Sequence, residues 1–217
     1  MQVHVSPAAA MDAPVGAEFP SQLLLAEYIH RSADDFAVAC AEVHVARREP
    51  SLERARDRLE MVVDRLYSLA TIQRLLQPPK TPVINLSNEL GDLCHHHAQA
   101  RFAEQGVFLQ LRAGNIEIDA QRGWALLMIV TELLMNTARH AFDSPGGLVK
   151  VDIVASNGEV ICLVSDDGTG MQRQTGSPGA GFAIVSELAR VAGIGLRAHQ
   201  CRTGTMVEMR LPLIMPA

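Results

Sequence analysis

A proline-rich segment near the middle of the chain divides it into two unlike parts. Pro78, Pro79 and Pro82 stand in the sequence QPPKTPV. Proline fixes φ, lacks an N–H group and restricts the residue before it, so this segment cannot continue a helix. It therefore predicts a stiff linker between a first domain at residues 21–78 and a second at residues 84–217.

The residues before this linker show the apolar spacing of two helices. The first is predicted from Ser21 to about Arg47 and the second from Leu52 to about Leu76, with the sequence RREPS between them. The apolar seam of the first helix is Ile29, Ala33, Phe36, Cys40 and Val43. The seam of the second is Leu59, Val62, Leu66, Leu69 and Gln73, supported by Val63, Ala70 and Leu76. Because the turn is short, we expect an antiparallel hairpin.

A hairpin of two helices, each about 40 Å long, hides too little apolar surface by itself. Both helices carry apolar residues beyond one narrow stripe. We therefore expect a second copy of the chain to complete a four-helix bundle. The alternative is that the hairpin packs against the C-terminal half of its own chain.

Composition and charge narrow the possible partners. The chain has 217 residues, of which 48% are hydrophobic and 20% charged, so it can form a folded core. A net charge of −5 argues against nucleic acid as a partner, and no apolar run is long enough for membrane insertion. Four cysteines without a CxxC pair are expected to be reduced thiols in a cytoplasmic protein. Residues 1–20 lack the features of a signal peptide and are expected to be a mobile N-terminal arm.

Beyond the linker, helical segments are mixed with strand-like segments. Helices are predicted at about 86–104, 121–142 and 180–192, and strands at 107–112, the short segment IEID, 147–155, 159–165, 194–200 and 205–211. Helices mixed with neighbouring hairpin-like strands are typical of an α+β fold rather than a doubly wound parallel sheet. We therefore expect an α/β sandwich in this second domain.

Three polar motifs occur in the second domain. In TELLMNTARHAF, Glu132, Asn136 and His140 are spaced four residues apart and form one polar stripe on an otherwise apolar helix. In ICLVSDDGTGM, Asp166 leaves a buried strand, and the glycines that follow let the backbone turn sharply. A buried carboxylate at a strand end can accept a hydrogen bond from an amine such as that of adenine.

The third motif, GSPGAGFAIV, places Gly176, Gly179 and Gly181 just before a helix. The N-terminus of that helix offers free N–H groups to phosphate oxygens. Asp167, beside Asp166, is expected to be a solvent-facing turn residue. Each motif alone is a weak signal, but their order and spacing together are specific.

This order and spacing resemble the ATP-binding domain of histidine kinases and of their relatives among the gyrase, chaperone and MutL ATPases. Glu132–Phe142 is similar to the N box of the family, Asp166–Gly170 to its first glycine box and Gly179–Gly181 to its second. Gly204, in TGTMVEMRLP, stands at the third glycine position. The resemblance covers about residues 85–213.

The resemblance implies roles for individual residues. Asn136 would ligate Mg²⁺, and Asp166 would hold the amino group of the adenine of ATP. Arg139 or His140 would approach the phosphates, while Glu132 stands where the family has an acidic residue that helps to orient the metal site. The glycines that would form the nucleotide pocket are Gly168, Gly170, Gly179, Gly181 and Gly204. So few protein ligands suit Mg²⁺, which keeps waters and substrate phosphates around it.

The first helix resembles the phosphoacceptor region of HWE-type histidine kinases. The match in LLLAEYIHRSADDF falls on His30 and Arg31. Since Ile29 lies in the predicted seam, His30 stands one step away from it, on the flank of the expected bundle. Asp34, four residues later, lies on the same helical face and could orient the imidazole or take its proton.

The resemblance therefore implies a sensor-type histidine kinase core. Such a homodimer would bind Mg-ATP, autophosphorylate His30 and pass the phosphoryl group to an aspartate of a response regulator. One alternative is a histidine phosphotransferase whose ATPase-like domain is degenerate and binds no ATP. Others are a serine kinase of the anti-sigma-factor type and a dimeric scaffold without turnover. The short segment MQRQTGSP, after Gly170, leaves little room for a long ATP lid.

Overall fold

The chain folds as a helical hairpin followed by an α+β domain with a mixed five-stranded sheet. The computed structural model describes residues 21–170, 180–201 and 203–213, without the side chains of residues 21–31, 180–183 and 200. The predicted N-terminal arm and Gly179 lie outside the described residues.

The hairpin consists of α1 (Ser21–Ala46) and α2 (Leu52–Leu75), as the breaker sequence predicts. Ser51 caps α2, because its hydroxyl accepts a hydrogen bond from the N–H of Arg54. The two helices run antiparallel: Arg65 of α2 bonds to Glu42 of α1 with an N–O distance of 2.5 Å. The predicted hairpin is therefore present.

The side of α1 that faces inward differs from the predicted seam. The buried residues are the small Ala39 and Ala46, whereas Phe36 is 64% exposed and Val43 is 37% exposed. Ala33 and Cys40 of the seam are exposed too. Small side chains allow the helices to pack closely within one hairpin, and the larger apolar residues are left on the outside.

The prediction for α2 is partly correct. Val62 and Leu69 are buried as expected, and Leu66 and Gln73 are half-buried. Leu59, Val63 and Ala70 are exposed. Apolar spacing identifies the helix but does not show which neighbour covers each side of it.

The end of the hairpin packs against the second domain of the same chain. Leu69 and Ile72 of α2 belong to the same buried core as the residues of that domain. The indole Nε1 of Trp124 also donates a hydrogen bond to the carbonyl oxygen of Leu76 at 3.0 Å. For this part of the hairpin, packing against its own chain is the arrangement observed.

The second domain has its elements close to the predicted positions. A two-stranded ribbon pairs β1 (Val83–Asn85) with β3 (Glu117–Asp119). The remaining strands are β2 (Val107–Ala113), β4 (Gly147–Ser156), β5 (Glu159–Asp166), β6 (Gly195–Gln200) and β7 (Thr205–Pro212). They form one sheet in the order β2-β4-β5-β7-β6, in which only the β2–β4 pairing is parallel among the pairs described.

Three helices pack on this sheet: α3 (Leu86–His97), α4 (Ala120–His140) and α5 (Ala180–Ala192). After α3 the winding changes to a π turn at Ala98–Phe102 and a 3₁₀ turn at Ala103–Gln105. Buried residues of β4, β5 and β7 join those of the three helices in one core. This confirms the α+β expectation, with the sheet as one layer and helices as the other.

In the described part of the chain, no helix is both long and apolar enough to cross a membrane.

Candidate functional site

Asp166 ends β5 and is fixed in position by the loops around it. Its carboxylate accepts a hydrogen bond from the N–H of Gly168, with an N–O distance of 3.0 Å, and further ones from the backbone and side chain of Thr205. The side chain is half-buried. Burial raises the pKa of the Asp166 carboxyl group, the hydrogen bonds oppose that rise, and nearby Asp167 adds to it. A partly desolvated acceptor is thus held at a strand end.

Asp167 fastens the following loop to the neighbouring strand. Its side chain is exposed, as expected, but its Oδ1 accepts a hydrogen bond from the N–H of Leu148 at 2.8 Å. The N–H of Asp167 in turn donates to the carbonyl oxygen of Leu148 at 3.2 Å. The two adjacent carboxylates therefore have separate tasks: Asp167 ties the loop to β4, and Asp166 points towards β7.

The glycine loop packs against the C-terminal end of α4. The N–H of Thr169 donates to the carbonyl oxygen of Ala141 at 2.8 Å. A Cβ atom on Gly168 would lie 2.1 Å from that same oxygen. Glycine is required at this position because the backbone of the loop touches the backbone after α4.

Gly204 makes an equally close approach on the other side of the loop. Its φ is +73°, and a Cβ atom there would lie 1.8 Å from the carbonyl oxygen of Asp166. Its N–H donates to the carbonyl oxygen of Gly168 at 2.8 Å. Gly170, with φ of +75°, packs against the backbone of Gly204. These three glycines bring the strand end, the loop and the start of β7 together.

The polar stripe of α4 runs from the core to this loop. Asp119 caps the helix by accepting a hydrogen bond from the N–H of Arg122 at 3.1 Å. Along the helix, Glu132 is only 6% exposed, Asn136 is half-buried, and Arg139 and His140 are exposed. Because Ala141 contacts the glycine loop, the last turn of α4 borders Asp166 and its neighbours. The structure thus brings the predicted N box and first glycine box together.

The second glycine box is only partly within the described residues. Gly181 lies in the first turn of α5, where a helix start was predicted. Gly179 and Gly176 lie outside the described residues. The placement of the second box beside Asp166 therefore stays a prediction.

The donor set is compatible with Mg²⁺ held mainly by a bound phosphate. The described residues contain no group of three or more His, Cys, Asp or Glu side chains suited to a metal ion. An amide at Asn136, one helical turn after the carboxylate of Glu132, would supply hard oxygen ligands. Phosphates and waters would complete the six-coordinate shell that Mg²⁺ prefers.

His30 lies in α1, but its side chain is outside the described part of the structure. Asp34, one helical turn later, pairs with Arg139 at an N–O distance of 3.4 Å. The next residue, Asp35, binds Arg101 through two hydrogen bonds of 2.9 and 3.0 Å. Asp34 was noted in the sequence, but the pairing of Arg101 and Arg139 with these two acidic residues was not predicted. Both arginines are far away along the chain, so no local pattern indicates the pairs.

Comparisons with known proteins agree with this geometry. Residues 123–215 match the family of histidine kinase-, DNA gyrase B- and HSP90-like ATPases. The chain is 28% identical over 195 residues to the sensor histidine kinase PdtaS of Mycolicibacterium smegmatis. That alignment covers 86% of this chain and 39% of the relative, so the chain spans well under half of the relative's length.

Solved structures share the fold. The histidine kinase domain of a blue-light-activated kinase of Erythrobacter litoralis superposes with a TM-score of 0.57 at 20% identity, covering 82% of this chain and 96% of that one. A protein described as a bacterial phosphotransferase superposes with a TM-score of 0.63 at 12% identity, covering 91% and 98%. The family match over residues 123–215, together with the similarity to sensor histidine kinases and the shared fold, supports a histidine kinase-type ATPase core in this chain.

Proposed function

We propose that this chain is the core of a sensor-type histidine kinase that binds Mg-ATP, autophosphorylates His30 and passes the phosphoryl group to an aspartate of a response regulator. The observation that carries this proposal is the contact between the glycine loop and the end of α4. The hydrogen bond from Thr169 to Ala141 brings the half-buried Asp166 beside the helix that carries Asn136. A candidate adenine acceptor and a candidate metal ligand thus border one loop.

Each residue contributes a separate part of the binding site. The Asp166 carboxylate would accept a hydrogen bond from the adenine amine, since buried polar groups are satisfied by partners of matching type. Asn136 and Glu132 would hold or orient Mg²⁺, which neutralises phosphate charge when bound. Gly168, Gly170 and Gly204 hold the loop in the shape that places Asp166.

The reaction is a phosphoryl transfer from oxygen to nitrogen. A ring nitrogen of His30 attacks the γ-phosphorus, a P–N bond forms, and the bond from that phosphorus to the β–γ bridging oxygen breaks, which releases ADP. The attacking nitrogen is the unprotonated one, and the proton on the other ring nitrogen passes to water or to the Asp34 carboxylate as the P–N bond forms. In the second transfer the P–N bond breaks as an aspartate of the response regulator forms an acyl phosphate. Catalysis of both steps depends mainly on positioning and charge neutralisation.

The outer surface of the hairpin supports a homodimer. Its exposed large apolar residues are Phe36, Val38, Val43, Val45, Leu52, Leu59, Met61, Val63 and Tyr67. This many large apolar side chains exposed on one hairpin indicates an interaction surface. A second copy of the hairpin would cover it and form the four-helix bundle.

A second candidate is a histidine phosphotransferase whose ATPase-like domain binds no nucleotide. The observation in its favour is the fold shared with the bacterial phosphotransferase. Against it stands the position of Asp166, whose carboxylate is kept partly desolvated at the strand end although its burial raises its pKa. Because Asp166 also accepts hydrogen bonds from Gly168 and Thr205, nucleotide binding itself decides between the two functions.

The test is incubation of the purified chain with ATP labelled on the γ-phosphate and Mg²⁺, followed by acid and base treatment of the labelled protein. We expect label that acid removes and base does not, as for phosphohistidine. His30→Ala and Asp166→Ala should each abolish it. His44→Ala is the matched control, because His44 is an exposed histidine on the same helix, and it should retain the label.

Other outcomes would contradict the proposal in distinguishable ways. Acid-stable label that survives in His30→Ala would indicate a hydroxyl acceptor, as in the serine kinases that share this ATPase fold. The absence of both label and nucleotide binding would indicate the phosphotransferase. In that case the chain should take phosphate from a phosphorylated receiver domain without ATP.

A further inference from the structure

Two ion pairs fasten the acceptor helix to the ATPase domain of the same chain. Asp35 of α1 binds Arg101 in the π turn through both carboxylate oxygens, at 2.9 and 3.0 Å. One residue earlier, Asp34 pairs with Arg139 near the end of α4 at 3.4 Å. Adjacent residues of one helix thus reach two different elements of the other domain.

The two pairs differ in strength. The side chains of Arg101 and Asp35 are only 13% and 14% exposed, and a two-pronged Arg–carboxylate pair fixes both distance and orientation. The Nε atom of Arg101 is buried without a hydrogen-bond partner in the described structure, and His97 is packed close by. Loss of Asp35 would leave a buried guanidinium group poorly compensated. The Asp34–Arg139 pair is more exposed, so it aligns the helix rather than anchoring it.

The alignment puts the acceptor region next to the candidate nucleotide site. Asp34 stands one helical turn after His30, and Arg139 stands three residues after Asn136. Besides α4, α1 also contacts α5, the helix that follows the glycine-rich segment. The end of α4, which borders the site, and α5, which follows the glycine-rich segment, therefore both touch α1 of their own chain.

We propose that phosphoryl transfer to His30 occurs within one chain, and that Asp35 and Arg101 are positioning residues for it. This inference rests on the proposed kinase function. The Asp35–Arg101 pair holds α1 against the ATPase domain, and the Asp34–Arg139 pair sets the rotation of α1 so that the face carrying His30 meets the end of α4. A second chain in the dimer is then needed for the bundle and not for the acceptor.

The first test combines two inactive variants in one dimer. His30→Ala retains the ATP site and Asp166→Ala retains the acceptor, so a mixed dimer contains one of each. Chains with different tags are co-expressed, and mixed dimers are isolated by two successive affinity steps. We expect no label on the mixed dimer when it is incubated with γ-labelled ATP and Mg²⁺. Label on the Asp166→Ala chain, at a rate near that of the wild type, would overturn the inference.

If no mixed dimer can be isolated because the chain is monomeric, dilution replaces that test. The initial rate of labelling per chain should stay constant across a dilution series of the wild type. A rate per chain that rises in proportion to concentration would show transfer between chains and overturn the inference.

The second test exchanges the charges of the anchoring pair. Asp35→Arg and Arg101→Asp should each lower the labelling rate at saturating ATP by about tenfold or more, because small misplacements of reacting groups are costly. Nucleotide affinity should change little. The double variant should recover most of the rate, since the pair is restored with opposite polarity. Single variants that lose nucleotide affinity and rate together, or a double variant without recovery, would contradict a positioning role.

These outcomes are separable from failure of the proposed function. If the wild type takes no label, the kinase proposal itself fails. If the wild type is labelled but the mixed dimer is labelled too, the kinase proposal stands and the inference of transfer within one chain fails.

Discussion

Asp166 is the residue whose chemistry and structural role can be separated most clearly. Burial raises the pKa of its carboxyl group, so at neutral pH its ionised form costs folding free energy. Asp166→Asn removes this cost and keeps an oxygen for the N–H of Gly168. It also replaces one carboxylate oxygen by an NH₂ group, which cannot accept a hydrogen bond from the adenine amine. We expect nucleotide affinity to fall about 10-fold to 100-fold. At neutral pH the free energy gained by removing the charge is opposed by the loss of a hydrogen bond from Thr205.

The measurements are nucleotide titration and urea unfolding at several pH values. Because the raised pKa belongs to the folded state, the stability of the wild type relative to Asp166→Asn should fall as pH rises through that pKa. Asp167→Asn is the matched control, since Asp167 is the neighbouring carboxylate but ties the loop to Leu148. Asp167→Asn should bind nucleotide within a few-fold of the wild type. An Asp166→Asn chain with unchanged affinity would contradict the assigned role.

Gly204 tests how far the site depends on close backbone packing. Its φ is +73°, and an added Cβ atom would lie 1.8 Å from the carbonyl oxygen of Asp166. Gly204→Ala should therefore displace Asp166, lower stability by at least about 2 kcal/mol and weaken nucleotide binding. Gly114→Ala is the control, because nothing lies within 4 Å of its added Cβ. Thermal unfolding of the two variants provides the comparison, and equal melting temperatures would refute this account of Gly204.

Sequence patterns located most helices and strands because their signals are local. The capping Ser51, the prolines after α2 and the alternating residues of β4 and β5 each reflect backbone requirements within a few residues. The short strand β1 was not predicted, because three residues carry too little periodicity and its pairing with β3 is distant in sequence. The π turn at Ala98–Phe102 likewise cannot be predicted from the spacing of apolar residues.

The end of α3 makes the fold sensitive to acid. His97 is fully buried beside Arg101, and burial first, then that positive charge, lowers its pKa to about 3 from its ordinary value of 6.5. The unfolded chain therefore takes up a proton at His97 that the folded chain does not, and stability falls as pH decreases below about 6.5. Relative to His97→Phe, the wild type should lose about 2–3 kcal/mol between about pH 7 and pH 4.5.

Urea unfolding of both chains at the two pH values measures this difference. The comparison removes the contribution of other titrating groups, since these are shared by the two chains. At neutral pH the variant should be at least as stable, because neither ring nitrogen of His97 has a hydrogen-bond partner in the described structure. Parallel dependence on pH in the two chains would contradict the buried, neutral state of His97.

At the scale of the whole molecule, the arrangement of the two domains could not be predicted from the sequence. The motifs predicted that Glu132, Asn136 and Asp166 serve one site, and the structure does bring the end of α4 to the loop after Asp166. The packing of α2 on the second domain depends on contacts such as Trp124 with Leu76, between residues far apart in the chain. No local pattern specifies such pairs, because either partner alone fits many surfaces.

The apolar surface of the hairpin leads to a prediction about assembly. Phe36 is 64% exposed on α1, and Phe108 is 76% exposed on β2 in the ATPase domain. If the hairpin forms the four-helix bundle, Phe36→Glu buries a charge at the interface and should convert the dimer to a monomer, because an unpaired buried charge costs several kcal/mol. Phe108→Glu makes the same chemical change outside the bundle and should leave the dimer intact.

Sedimentation velocity of the wild type and both variants distinguishes the possibilities, and nucleotide titration checks that each ATPase domain remains folded. Two dimeric variants would place the interface elsewhere, and a monomeric wild type would exclude the bundle at the concentrations measured. A monomeric Phe36→Glu chain that still takes label on His30 would have a further consequence. It would show that one chain contains every group needed for the transfer, since Asp35 and Arg101 hold α1 to the ATPase domain of the same chain.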